Sequence, residues 1–322
     1  MKFEILLSNK KKFISEPDQT ILDSAKKSEI VLEHSCNNGQ CGICSCKLVS
    51  GEVKQLDNSY GASDEVNSNR ILTCQAIPIT DIEIDIEDLG EYSNYPLKTI
   101  PVRISKISKV AKDILKLTLR TPPNNRLLFL PGQFINLIHG SVKRSYSIAN
   151  AERNNGTFDL IIKKVSGGVM SDILFDRTKE NDLFRIEGPN GTFGWRPKDK
   201  KNIVFLATGT GIAPVISIID GNDLEEYNVT VIWGNRYENE FFELPKSFES
   251  VELFKVLSRD TAFGFKKGYV QEVLMSMNIE FNDTLIYACG SDAMIKSSHN
   301  LLISKGLDQG DFYSDSFLCT GI

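Results

Sequence analysis

The sequence predicts a multidomain α/β protein in three parts: a small mixed domain over residues 1–90, an antiparallel β-barrel over 98–197 and a doubly wound parallel sheet over 198–322. Three observations predict it. Five cysteines sit in the first part, and Cys36, Cys41 and Cys44 share one loop. The middle part is a succession of strand patterns separated by Pro- and Gly-bearing turns, the form of a small barrel. The last part alternates continuous apolar runs with helical segments, the form of a parallel sheet covered on both faces.

A chain of 322 residues is long enough to bury two or three cores. Its apolar share of 41% and charged share of 25% describe an ordinary globular protein. The net charge of −5 argues against a nucleic-acid binder, which carries a basic face, and leaves proteins and small molecules as partners. Met1 to Leu7 lacks a long apolar core, and no stretch holds eighteen consecutive apolar residues, so the expectation is a cytoplasmic protein with no membrane span. In that compartment, seven cysteines point to metal ligation and reduced thiols rather than disulfides.

In the first part, Phe3–Leu7 and Lys12–Ser15 read as a hairpin around a lysine-rich turn. Thr20 followed by Asp23 reads as the cap of a short helix, Ile21–Lys27, with Ile21, Leu22 and Ala25 inward. Lys47–Val49 leaves the cysteine loop, Ile71-Leu72-Thr73 delivers Cys74, and Ile82, Ile84 and Ile86 alternate with acids as a half-buried strand. Residues 88–100 read as a linker. Beyond it, strands are expected at Val102–Ile107, Ile114–Arg120, Phe134–Ile138, Arg144–Ile148, Phe158–Lys163 and Leu183–Glu187, with one short helix at Ser171–Asp176. In the last part, buried strands are expected at Ile203–Ala207, Val229–Trp233, Val251–Val256 and Leu285–Cys289, with a helix from Pro214.

The loop Cys36-Asn-Asn-Gly-Gln-Cys41-Gly-Ile-Cys44, with Cys74 after twenty-nine more residues, has the plant-type spacing for a [2Fe–2S] cluster. A loop wrapped around inorganic sulfide needs inward N–H groups, and Gly39 and Gly42 permit that approach. Ordinary buried cysteines and structural zinc at the same four thiols are the competing readings, and zinc would make the chain a non-enzymatic binding or sensor module. Cys46 is read as a neighbour on the departing strand. His34, His139 and His299 form no ligand spacing. Further on, Thr208-Gly209-Thr210-Gly211-Ile212-Ala213-Pro214 follows a strand and opens a helix, the arrangement that lets a backbone approach a pyrophosphate; a plain strand-to-helix turn reads the same way.

Arg144-Ser145-Tyr146-Ser147 and Gly167-Gly168-Val169-Met170-Ser171, taken with the Gly turn, Tyr287-Ala-Cys289-Gly290-Ser291 and the tail Phe312-Tyr-Ser-Asp-Ser-Phe317, resemble the ferredoxin-NADP reductase superfamily with an N-terminal plant-type ferredoxin domain. The resemblance covers nearly the full chain. It implies a β-grasp-like [2Fe–2S] domain with Cys36, Cys41, Cys44 and Cys74 as ligands, an FAD-binding barrel and an NAD(P)H-binding sheet. It further implies FAD contacts at Arg144, Tyr146, Ser147, Gly168 and Ser171, dinucleotide contacts at Gly209, Thr210, Gly211 and Pro214, and Arg236 at the adenosine half. Cys289 would lie beside the nicotinamide, though it also reads as a core cysteine. Phe317 would cover the flavin, though it also reads as a packed terminal aromatic. The implied activity is electron transfer from NADH through FAD and the cluster to a partner protein. That acceptor would be the dehydrase of CDP-3,6-dideoxyhexose biosynthesis, or else an oxygenase component. NADPH stays open, because Ser258, Arg259, Lys266, Lys267 and Tyr269 suit a 2′-phosphate, which Glu238 and Glu240 would repel if they face it.

Overall fold

The computed structural model describes residues 2–56 and 69–317, so that Cys319 lies outside the described residues. The chain forms two compact units, Met1–Pro96 and Leu97–Ile322.

The first unit contains β1 (Phe3–Leu7), β2 (Lys12–Ser15), α1 (Ile21–Lys27), β3 (Ser45–Ser50), β4 (Val53–Gln55), β5 (Arg70–Leu72), β6 (Ala76–Pro78) and β7 (Ile82–Asp85). Five of the strands make a mixed sheet in the order β2-β1-β7-β3-β5, with β1 and β7 parallel and the other neighbours antiparallel. The lysine-rich turn closes through Lys10 at φ 66°. Thr20 caps α1 by accepting from the Asp23 N–H at 3.1 Å, and Ile21, Leu22 and Ala25 face the core beside Ile5, Leu7, Ile82 and Ile84. The cysteine loop lies between α1 and β3, and Cys74 follows β5, so one sheet edge carries all four thiols.

In the second unit, β8 (Lys98–Ala111), β9 (Ile114–Arg120), β10 (Phe134–His139), β11 (Val142–Ser147), β12 (Thr157–Lys163) and β13 (Leu183–Asn190) form an antiparallel sheet in the order β11-β10-β13-β8-β9-β12. An antiparallel bridge between Ile148 and Leu160 joins its two outer strands. Every second residue points inward, as in Ile100, Val102 and Ile104 of β8 or Phe158, Leu160 and Ile162 of β12. Two local expectations need correction. The linker is shorter, because β13 runs on to Asn190 and pairs Gly188 with Lys98 and Glu187 with Thr99. The short helix begins earlier, as α2 (Val169–Asp172), and widens into a π-turn over Ile173–Arg177.

The remaining elements are β14 (Asn202–Thr208), α3 (Ile212–Gly221), β15 (Asn228–Asn235), β16 (Glu252–Leu257), β17 (Lys266–Lys267), α4 (Val270–Met275), β18 (Thr284–Ser291), α5 (Asp292–Ser304) and β19 (Phe312–Phe317). Their six strands are all parallel, in the order β17-β16-β15-β14-β18-β19. Alternate residues serve two cores. Phe205, Ala207, Trp233 and Tyr287 pack with α3 on one face, whereas Val204, Leu206, Ile232 and Ile286 pack with α4 and α5 on the other. The α3 core also takes in Ile114, Ala149, Ile161 and Phe193 from the barrel, so barrel and parallel sheet share buried apolar surface. The helix expected from Pro214 starts two residues earlier, after a 3-10 turn at Gly209–Gly211, which leaves Pro214 in the first turn where no intrahelical N–H is needed. Neither β17 nor β19 was expected from sequence: the first is only two residues long, and the second carries three consecutive small polar residues, Ser314-Asp315-Ser316, with no alternation.

Candidate functional site

Asn37 (φ 59°), Gly39 (φ 78°) and Gly42 (φ 75°) curl the cysteine loop, and a Cβ on Gly39 would come within 2.9 Å of the Gln75 side chain. The four thiols meet two by two. Cys44 Sγ lies 3.3 Å from Cys74 Sγ, and the Cys41 N–H donates to Cys36 Sγ at 3.4 Å. A hydrogen bond from the Cys41 thiol pulls Cys36 down to about 5; burial opposes this, and the N–H groups of Asn38, Cys41 and Gln40 assist it. Cys74 is pulled down to about 7, first by the Cys44 thiol, with the Gly39 N–H and the Gln75 amide also helping against burial. The donor thiols of Cys41 and Cys44 are pushed up correspondingly.

Two pairs of thiols with inward amides fit a [2Fe–2S] cluster, which takes four thiolates over two irons. They do not fit zinc, which draws its ligands to a single centre. Among the described residues no group of three or more His, Cys, Asp or Glu converges on one ion. Cys46 lies on β3 outside the two thiol pairs, and burial pushes its thiol up to about 12.

On β11 the side chains alternate, with Lys143 and Ser145 exposed and Arg144 and Tyr146 half-buried on the opposite face. Tyr146 leans on the barrel core, and burial pushes its phenol up to about 12 against the opposing Arg144 charge. Beside β11 lies α2, capped by Gly168; buried Ser171 accepts the Val165 N–H at 2.9 Å and closes the loop between them. The structure thus brings together the two segments that sequence paired only by resemblance. A planar cation, an aromatic face and two buried hydroxyls fit the phosphates and flat ring of a flavin dinucleotide.

Sequence reasoning missed what anchors that strand. Asn150 Oδ1 accepts the Asp159 N–H at 2.5 Å. The Asp159 carboxylate in turn accepts Thr118 Oγ1 at 2.7 Å, Arg153 Nη2 at 2.8 Å and Lys116 Nζ at 3.1 Å. Burial acts to raise its pKa, but Arg153, Thr118 and Lys116 together hold it below the usual carboxylate range. The available signal was an aspartate inside the otherwise apolar run Thr157–Lys163.

The parallel sheet reverses its winding between β14 and β18, and such a switch point, at the carboxyl ends of the strands, is where open α/β sheets bind ligands. Here the Gly209–Gly211 turn meets Gly290. Gly209 has φ +57° and nothing within 4 Å of a Cβ position, so this side of the turn stands open. Gly211 lies so close to β18 that a Cβ would sit 2.3 Å from the Cys289 carbonyl oxygen. Trp233 Nε1 donates to the Gly209 carbonyl at 2.9 Å and fixes the turn from beneath. α3 and α5 both begin at this edge, and their N-termini favour anionic groups. An open glycine turn backed by helix N-termini fits a dinucleotide pyrophosphate.

Cys289 is fully enclosed in the α3 core; burial pushes its thiol well up, and the Asp315 charge adds to this. Asp315, another residue that sequence reasoning passed over, is buried opposite Cys289 on β19. Phe317 ends β19 in register with Ser291, partly buried against the same core. Arg236 follows β15, and its carbonyl accepts the Arg259 N–H at 3.1 Å. The Glu240 carboxylate is engaged by Lys163 Nζ at 2.6 Å and by the Arg236 N–H at 3.0 Å.

Residues 6–78 match the 2Fe-2S iron-sulfur cluster binding domain, 101–195 the oxidoreductase FAD-binding domain and 205–300 the oxidoreductase NAD-binding domain. The chain is 38% identical over 314 residues to the CDP-6-deoxy-L-threo-D-glycero-4-hexulose-3-dehydrase reductase of Yersinia pseudotuberculosis, covering 95% of each chain. It is 40% identical over 318 residues to protein RfbI of Salmonella typhimurium, covering 95% of this chain and 93% of the relative. The terephthalate 1,2-dioxygenase reductase components of Comamonas are more distant, at 28% over 95% of this chain and 94% of theirs. The crystal structure of an Amycolatopsis cytochrome P450 reductase shares the fold, with a TM-score of 0.77 at 24% identity over 99% of this chain and 100% of the other. No helix among the described residues is long and apolar enough to cross a membrane. Paired thiols, flavin strand and glycine turn thus agree with sequence kinship: the chain belongs to the family of CDP-6-deoxy-hexulose-3-dehydrase reductases, NAD(P)H-dependent oxidoreductases with [2Fe–2S], FAD and NAD domains.

Proposed function

We propose that the chain delivers electrons from NADH to a separate protein, the dehydrase of CDP-3,6-dideoxyhexose biosynthesis, in the cytoplasm. The observation that carries this acceptor is the contrast in kinship, 38% identity over nearly the whole chain with a dehydrase reductase against 28% with dioxygenase reductase components. When bound, FAD takes the hydride of NADH and the [2Fe–2S] cluster passes the electrons on singly, so the redox chemistry belongs to the cofactors.

The residues align and enclose. Arg144 pairs with the flavin pyrophosphate, Tyr146 lies against the ring, Ser147 hydrogen-bonds it, and Gly168 and Ser171 hold the phosphates. Gly209, Thr210, Gly211 and Pro214 admit the nicotinamide dinucleotide, and Arg236 borders its adenosine half. Phe317 flanks the nicotinamide position, while the fully enclosed Cys289 thiol packs in the core behind it and supplies no proton. Cys36, Cys41, Cys44 and Cys74 hold the cluster, and their loop is where the acceptor docks.

The test is turnover. Purified holoprotein with NADH is given either the dehydrase with its CDP-4-keto-6-deoxyglucose-derived intermediate or the terminal component of an aromatic-ring oxygenase. Formation of the 3-deoxygenated sugar with the first and no coupled turnover with the second is the expected result. The reverse pattern would overturn the dehydrase assignment, and faster turnover with NADPH would overturn the choice of NADH.

A further inference from the structure

Glu240 joins two domains through its two oxygens. Oε1 lies 2.6 Å from Lys163 Nζ at the end of β12 in the barrel, and Oε2 accepts the Arg236 N–H at 3.0 Å in the parallel-sheet domain. The carboxylate is only 15% exposed. Burial acts to raise its pKa, but Lys163 and the Arg236 N–H hold it below the usual range, so it stays charged at neutral pH. A second tie runs alongside, the Lys112 N–H donating to the Asn239 carbonyl at 3.4 Å. Beyond Glu240, Phe241 and Phe242 pack edge-on against buried Trp233, with ring centroids 4.7 and 4.9 Å away, and Trp233 is the residue that holds the Gly209 carbonyl.

The segment 236–242 is therefore held toward its C-terminal end, onto the barrel through Asn239 and Glu240 and into the core beneath the glycine turn through Phe241 and Phe242. Beside it lies a cavity of about 740 Å³, lined by Lys112 and Asp113 of the barrel and by residues 237–240 and Asp260.

We infer that the Glu240–Lys163 pair is an inter-domain latch that positions the Arg236 loop for the adenosine half of the nicotinamide dinucleotide. This rests on the reading of Arg236 as the adenosine neighbour. Glu240 acts through the Arg236 loop, so it is a positioning residue. Its removal weakens the grip on the half of the dinucleotide that does no chemistry, and a grip that is equal in the ground and transition states acts on binding alone. The loss therefore falls on KM and leaves the limiting rate alone.

The experiment measures flavin reduction in the holoprotein by stopped flow, with NADH and with reduced nicotinamide mononucleotide, which lacks the adenosine half. Glu240→Gln and Lys163→Met are each expected to raise the NADH concentration for half-maximal rate about tenfold, with the limiting rate within twofold of wild type. Both should leave the mononucleotide dependence unchanged. The double variant should be no worse than either single one, because both remove the same bond. If the wild type prefers NADH but the single variants bind it normally, the latch is overturned and the adenosine site stands. Equal weakening toward both nucleotides would also overturn the latch, as a general disturbance of the fold. A wild type that does not distinguish the two nucleotides would overturn the placement of Arg236 and the latch with it.

Discussion

Gly211 adopts φ −60° and ψ −10°, a conformation open to any residue, so nothing in its backbone demands glycine. Space does. A Cβ there would sit 2.3 Å from the Cys289 carbonyl oxygen, 2.7 Å from its carbonyl carbon and 2.8 Å from Gly290 Cα, all of them backbone atoms of the neighbouring strand. Restoring ordinary contact requires the turn and β18 to part by about 1 Å. Neither side yields easily, because β14 and β18 are hydrogen-bonded through six registered pairs and Trp233 holds the turn from below. Gly211→Ala is therefore expected to displace the glycine turn outward. A misplacement of about 1 Å in a reacting geometry costs on the order of 10²-fold in rate. Stopped-flow reduction of bound flavin by NADH should fall by that order, while FAD content and the visible spectrum of the cluster stay those of wild type. The strain should also lower unfolding stability by about 1–3 kcal/mol, read from denaturant melts. A variant that reduces its flavin within threefold of the wild-type rate would refute the reasoning, because the turn would then not set the hydride geometry.

Cys44→Ser and Cys74→Ser should each abolish the cluster's visible absorption and leave FAD bound; Cys46→Ser should keep the full spectrum, since that thiol belongs to neither pair. Arg144→Ala should lose FAD on gel filtration with the cluster spectrum intact, and stoichiometric flavin in the variant would count against the placement of the pyrophosphate. Asp159→Asn should lower stability at pH 7 by roughly 1–2 kcal/mol, the modest value reflecting the partly exposed Arg153 and Lys116 partners. The native pKa of Asp159 is depressed, so its contribution is complete above the unfolded carboxylate value and disappears as pH falls through the native one. Urea melts of wild type and variant should thus converge on acidification; a constant gap down to pH 3 would show that the carboxylate's charge is not what stabilises.

What was legible in the sequence follows from periodicity and from rigid chemistry. β1, β2, α1 and β9 lie where the patterns place them, because alternation and a Thr20 cap are local signals. The cysteine spacing was legible because a loop around a compact inorganic core tolerates few geometries. Long-range pairing was not. Lys98 to Ile100 read as linker and enter β8 because they pair with Gly188 to Ile186 of β13, a partner more than eighty residues away. Lys266–Lys267 and Phe312–Phe317 become edge strands because β16 and β18 present free edges, a fact about the sheet rather than about those residues. At the site, Glu240 looked like a free acid near the adenosine half, since nothing local announces a lysine seventy-seven residues earlier as its partner.

The same long-range contacts tie the barrel to the parallel sheet. Ala149, two residues past Ser147 on the flavin strand, and Ala207, two residues before Gly209, are buried in one shared core with Ile161, Phe193 and Ile212. Ser217, fully buried on α3, reinforces this by donating to the Asn150 carbonyl at 2.7 Å and accepting the Gly132 N–H at 3.3 Å. The flavin strand and the glycine turn are therefore indexed to each other by close packing, where a change of one methylene is felt. The Arg236 loop, by contrast, is tied to the barrel by an ion pair whose lysine is 35% exposed. Errors at the chemical end of the dinucleotide are thus opposed by core burial, and errors at the adenosine end by a weaker, screened attraction. It follows that raised ionic strength should erode NADH affinity before it alters the limiting rate of flavin reduction.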